Sequence, residues 1–96
     1  IITLNRPKAL NALSGEMFVA LHDRLKTWES DPIIKAVLIK SSVEKAFCAG
    51  GDIREIYENR FNATQEILKY FSLEYSVNKI IHHYRKPYIA LTNGIT

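Results

Sequence analysis

The chain predicts an α/β fold in which parallel strands are joined by helical crossovers. Three observations lead there. Apolar segments of strand type at 1–5, 35–41 and 88–92 alternate with stretches of helical spacing, and Asp31-Pro32, Lys86-Pro87 and Asn93-Gly94 punctuate the boundaries. The segment "KAVLIKS" also has the uninterrupted apolar centre of a strand buried on both faces, as in sheets covered by helices. Strand, helix, strand, helices, strand is the order that crossover connections produce.

Taken in order, "IITLN" is β-branched and apolar, and Pro7, which has no N–H to give a ladder, ends that strand in the loop "RPKALNAL". Arg6 and Pro7 read as turn-fixing residues. Ser14 is placed to cap a helix whose apolar face is Met17, Leu21, Leu25 and Trp28. The second strand leads into the loop "SSVEKAFCAGGD", and "IREIYENRF" reads as a short helix with Ile53, Ile56 and Tyr57 on one side. Thr64 is placed to cap a longer helix carrying Ile67, Leu68, Phe71, Tyr75, Val77 and Ile81, and "YIALT" is the third strand.

Composition narrows the function. The chain has 96 residues, 47 % of them apolar, enough for one small domain at most. The ends, "IITLN" and "NGIT", read as cut from a longer protein. A net charge of +3 from scattered basic residues is too small to point to nucleic acid, and no stretch reaches the length of a membrane span. One cysteine excludes an internal disulfide framework and fits a reducing compartment. Cys48 stands in an apolar stretch with no histidine near it in sequence and reads as a packed small residue. His82 and His83 are adjacent on a helix, so they diverge and make a poor pair of metal ligands; a charge effect at the helix C-terminus accounts for them. Asn62-Ala63-Thr64 fits a glycosylation sequon, which matters only in secreted chains. Trp28 and Tyr75 read as core or interface residues.

The chemistry concentrates at "KAFCAGGDI", residues 45–53. A backbone N–H stabilises an oxyanion only when the reacting oxygen comes within about 3 Å, and glycine removes the side chain that would block it. Gly50 and Gly51 also permit positive φ and stand directly before a helix, whose first N–H groups are unpaired and carry the positive dipole end. From spacing alone two readings stay open: an anion cradle over 49–53, or a tight strand-to-helix turn in which Asp52 only caps the helix.

The ordered words "ITLNRPKALNAL", "WESDP", "AVLIK", "KAFCAGGDIRE" and "KPYIALTNGIT" resemble the start of the crotonase superfamily, the enoyl-CoA hydratase and isomerase fold. The resemblance covers nearly the whole chain and implies the N-terminal part of a ββα spiral domain that takes acyl-CoA thioesters. It implies that the Gly51 N–H is half of an oxyanion hole, its partner and the family's acidic residues lying after Thr96, so that residues 1–96 alone are inactive. The Gly before Asp52, "FCAGGDIR" and "YFSLEYSVNKIIHHYRKPYIALTNGIT" are most similar to the 3-hydroxyisobutyryl-CoA hydrolase branch, which hydrolyses a thioester in valine breakdown. In that branch the Glu of a Glu-Tyr pair contacts substrate, and Glu74-Tyr75 matches it; a solvated helix carboxylate is the plainer reading.

By the same resemblance, Gly50, Asp52, Ile53 and Arg54 join Glu74 at the substrate. Lys8, Ala9, Leu10, Lys45 and Ala49 line the path of coenzyme A, which belongs to the substrate, with no permanent cofactor and no metal. Lys8 reads equally as an ordinary surface lysine. An enoyl-CoA hydratase or isomerase is the alternative enzyme, and a non-catalytic acyl-CoA-binding module the alternative of another class. The resemblance also implies a homo-oligomer, a trimer or pair of trimers, in the cytoplasm of a bacterium or the mitochondrial matrix of a eukaryote.

Overall fold

The computed structural model describes residues 1–58 and 64–96, and for 64–66 the backbone alone. The proposed cap at Thr64 and the sequon at 62–64 therefore lie outside the described side chains. Three short parallel strands form one sheet in the order β1 (Ile2–Leu4), β2 (Val37–Ser41), β3 (Tyr88–Ala90). Ile2 stands beside Ile39 and Leu4 beside Ser41, while Val37 stands beside Tyr88. Parallel neighbours require crossovers, which α1 (Gly15–Ser30) supplies first and α2 (Ile53–Glu58) with α3 (Thr64–His82) second. A single 3₁₀ turn, Pro7–Ala9, opens the loop after β1.

The sequence reasons for α1 hold in detail. Ser14 is extended at the N-cap and its hydroxyl accepts the Met17 N–H at 3.3 Å. At the other end Asp31 is extended and bonds back to the Trp28 carbonyl. The end of α1 is also clamped by the segment before β3. The Lys86 amino group donates to the Trp28 and Asp31 carbonyls, where the negative end of the helix dipole favours a cation. The Tyr84 hydroxyl donates to the Leu25 carbonyl at 2.7 Å.

The core lies between one face of the sheet and the two long helices. Leu4, Val37 and Ile39 meet Phe18, Leu21 and Leu25 of α1 and Tyr70 and Val77 of α3. Leu25 is fully buried, so truncating it would cost about 2–5 kcal/mol.

Three sequence expectations need correction. On β2, Val37 and Ile39 are buried but Leu38 is only half-buried and Lys40 is exposed, because among the described residues helices cover one face and not both. On α3, Val77 and Ile81 face the core as expected, but Leu68, Phe71 and Tyr75 are exposed, and the inward stripe reaches Val77 through Tyr70 and Leu73 instead. Both stripes fit a 3.6-residue period, and only docking onto α1 and the sheet selects between them. On α2, Ile53 is 78 % and Tyr57 60 % exposed, and of that apolar side Ile56 alone packs against the core among the described residues.

Candidate oxyanion site

The glycine loop between β2 and α2 is held against the loop after β1. Leu13 N–H donates to the Gly50 carbonyl at 2.8 Å, and the Leu13 carbonyl accepts the Asp52 N–H at 3.0 Å. Ala49 N–H reaches the Leu10 carbonyl at 3.0 Å, and Gly50 N–H reaches the Cys48 sulfur at 3.3 Å. From Ala49 to Asp52, Gly51 alone has an N–H without a partner among the described residues.

Its direction follows from peptide planarity. The Gly50 carbonyl and the Gly51 N–H belong to one trans peptide and point opposite ways. Since that carbonyl faces Leu13, the Gly51 N–H faces away from the bridge. Gly50 sits at φ +106°, a conformation that an L side chain rarely adopts. Gly51 is required by close approach: a Cβ there would lie 2.9 Å from the Tyr70 hydroxyl oxygen and 3.8 Å from Glu74 Oε1. Glu74 and Gly51, at opposite ends of "GDIREIYENRFNATQEILKYFSLE", are therefore brought together, and Glu74 is half-buried.

Asp52 does what the plainer reading asked of it. Its carboxylate caps α2 by accepting the Glu55 N–H at 3.1 Å and pairs with Arg6 at 2.8 Å. Burial by itself raises its pKa. The Arg6 hydrogen bond and charge, with the Glu55 and Arg54 N–H groups, outweigh burial and hold it below the ordinary 3.8. The cap and the cradle are thus one structure, because the cap is what holds Gly51 in place. Arg6 also donates to the Ala12 carbonyl at 2.8 Å, a larger part than turn-fixing alone.

Other expected residues divide into groups. Lys8, Ala9, Asp52 and Arg54 line one open cleft of 690 Å³ beside Arg6. Leu10 takes positive φ (49°) and supplies the carbonyl that holds Ala49. Ile53, Ala49 and Lys45 are exposed, and the Lys45 carbonyl accepts Ile95 N–H at 3.1 Å, tying it to the turn after β3. The Arg54 side chain, 87 % exposed, pairs with Glu58 one turn on. Cys48 is half-buried and braces the loop through sulfur, as a structural residue would. The histidines do not diverge as expected, since His83 lies just past the end of α3 and the two rings meet edge to face at 4.8 Å. Among the described residues no group of three His, Cys, Asp or Glu is placed to hold a metal ion.

Two residues of the site escaped the sequence reading. Asn11 is fully buried at φ 58°; its amide nitrogen donates to Ser41 Oγ at 2.7 Å and the Phe47 carbonyl at 3.0 Å, and its oxygen accepts the Arg6 N–H at 2.7 Å. Asparagine's tolerance of the left-handed region was the available signal. Tyr70 is buried against Phe18, rings 5.5 Å apart and nearly perpendicular, with its hydroxyl at the glycine loop. A polar tip within an apolar helical stretch was the signal there. Burial raises its pKa, the Asp52 N–H bond pulls it down by less, and the charges of Glu74, Glu55 and Asp52 each raise it further. The phenol stays protonated and can donate.

The family model for enoyl-CoA hydratase/isomerase matches residues 1–96. The chain belongs to the enoyl-CoA hydratase/isomerase family. Within that family it is 50 % identical over 96 residues to the mitochondrial 3-hydroxyisobutyryl-CoA hydrolase of Danio rerio and 48 % identical over 97 residues to that of Homo sapiens. It spans a quarter of the length of these curated relatives. Among solved structures, a carnitinyl-CoA dehydratase from Mycobacterium thermoresistibile superposes with a TM-score of 0.92 at 40 % identity, covering 97 % of this chain and 27 % of that one. An enoyl-CoA hydratase from Rhodobacter sphaeroides gives 0.88 at 35 %, covering 96 % and 28 %. The expected α/β crotonase-type fold is borne out. Among the described residues no helix is long and apolar enough to cross a membrane.

Proposed function

We propose that the protein carrying this chain hydrolyses the thioester of 3-hydroxyisobutyryl-CoA, with the Gly51 N–H as one donor to the oxyanion formed at the thioester carbonyl. The observation that carries the reading is the N–H of Gly51, unpartnered among the described residues and turned outward in a loop whose neighbouring N–H groups from Ala49 to Asp52 are all bonded. A donor held in place before the reaction costs no reorganisation when charge develops on the carbonyl oxygen. Water adds to the carbonyl carbon, the tetrahedral oxyanion collapses, and the C–S bond breaks to give the free acid and the coenzyme A thiol.

Glu74, with its carboxylate beside Gly51, contacts the acyl group. Gly50, Ile53 and Arg54 border the substrate, while Asp52 serves it by holding the loop. Lys8, Ala9 and Leu10, with Lys45 and Ala49, run along coenzyme A; Lys8 and Arg6 put positive charge on the cleft that the phosphates would follow. Coenzyme A is substrate, not a resident cofactor. The likeness to hydrolases named mitochondrial supports a mitochondrial location for a eukaryotic source, and assembly as a homo-oligomer is part of the same proposal.

The hydratase/isomerase reading is kept because solved enoyl-CoA hydratases share the fold. The test is to incubate the full-length protein with 3-hydroxyisobutyryl-CoA and with crotonyl-CoA. Free thiol released from the first is the expected result. Loss of enoyl absorbance from the second with no thiol from either overturns the hydrolase reading in favour of a hydratase. Binding of both without turnover leaves the acyl-CoA-binding module.

A further inference from the structure

Two peptide planes flank Gly51, and each is pinned by Leu13, one through the Gly50 carbonyl and the other through the Asp52 N–H. The second plane has an additional partner. The Tyr70 hydroxyl accepts the Asp52 N–H at 2.7 Å and donates to the same Leu13 carbonyl at 2.7 Å, closing a three-way set around the loop. The ring behind it has little freedom, since it is 6 % exposed and wedged edge to face against Phe18 at 5.5 Å and Phe71 at 5.8 Å. The hydroxyl proton is committed to Leu13, which leaves the oxygen lone pairs for Asp52. A hydroxyl in this place also leaves no room for a side chain at 51, since a Cβ would meet its oxygen at 2.9 Å.

We propose that Tyr70 is a positioning residue: its hydroxyl locks the Gly51–Asp52 peptide while Leu13 holds the Gly50–Gly51 peptide, so that Gly51 is fixed on both sides and its N–H keeps its outward direction, and the same hydroxyl is what demands glycine at 51. The proposal rests on the role given to Gly51 above. It assigns to α3 a polar anchor for the loop between β2 and α2, so that the register of a long helix sets the aim of a backbone donor.

Tyr70→Phe in the full-length protein removes the hydroxyl and keeps the ring. The expected result is a kcat lower by about 10-fold with KM within about 2-fold, because an oxyanion contact strengthens only in the transition state. Hydrogen exchange of a peptide spanning residues 48–53 becomes faster, while peptides from the sheet and α1 are unchanged. A lower melting temperature with unchanged kcat would assign the hydroxyl to stability alone and overturn the proposal.

The coupling is read from a double-mutant cycle. Gly51→Ala should lower kcat about 100-fold when Tyr70 is intact and about 10-fold or less in the Tyr70→Phe background, where the opposing oxygen is gone. Additive effects overturn the claim that Tyr70 demands the glycine. If the unmodified protein releases no thiol from acyl-CoA, the functional reading fails, and exchange of the 48–53 peptide then decides the anchoring by itself. Faster exchange in Tyr70→Phe upholds it, and unchanged exchange overturns it.

Discussion

Arg6→Ala tests the brace beneath the oxyanion loop. In the native structure the Arg6 guanidinium lies 2.8 Å from Asp52, whose side chain is 10 % exposed, and it also donates to the Ala12 carbonyl. Removing one partner of a fully buried ion pair costs about 3–5 kcal/mol, because the other charge stays buried and unpaired. The Arg6 side chain is 38 % exposed, so solvent screens part of this, and Asp52 keeps the Glu55 N–H. A loss of about 2 kcal/mol is expected, against about 0–1 for a pair exposed on both sides.

The sign with pH follows from the lowered carboxyl. A group whose folded pKa is depressed contributes stability that is fully present above its unfolded value, here 3.8, and is lost as pH falls through the folded value. Arg6→Ala removes two causes of the depression and leaves the Glu55 and Arg54 N–H groups alone against burial, so acid unfolding should begin at higher pH in the variant. Urea unfolding at neutral pH and an acid titration followed by circular dichroism measure both effects. A loss below about 0.5 kcal/mol together with an unmoved acid midpoint would show that Asp52 is held by its helix cap alone, and the brace argument would be wrong.

Three further outcomes are expected. Gly94→Ala places a Cβ 2.2 Å from the Lys45 carbonyl oxygen at φ +58°, so the bridges joining 45–48 to 93–96 must shift, and thermal unfolding should show a loss of about 2–3 kcal/mol. Asn11→Ala takes their partner from the Arg6 N–H and the Phe47 carbonyl and one donor from Ser41 Oγ, which keeps Val43 and Ala46; about 3 kcal/mol should be lost in urea unfolding, and hydrogen exchange should quicken across 45–52. Ser14→Ala removes the α1 cap and should cost about 1 kcal/mol in the same unfolding assay, the same amount at neutral and at acid pH, whereas the loss in Arg6→Ala changes with pH.

What the sequence determined by itself was local chemistry with a short reach. Ser14 caps, Asp31 stops α1, Pro7 ends β1, Gly50 takes positive φ and Asp52 caps α2, each because a single residue type solves a backbone problem within four positions of itself. The order of those pieces also implied the parallel sheet. Tertiary structure decided whatever depended on partners distant in the chain. It selected Tyr70 rather than Phe71 or Tyr75 for the inward face of α3, since two stripes with the same helical period differ only in what they dock against. It set the Asn11 amide between Ser41 and Phe47, and Arg6 against Asp52. The glycine pair marked where a donor was wanted. Its direction came from Leu13 and Tyr70, two residues whose relation to Gly51 exists only once β1, β2 and α3 have packed.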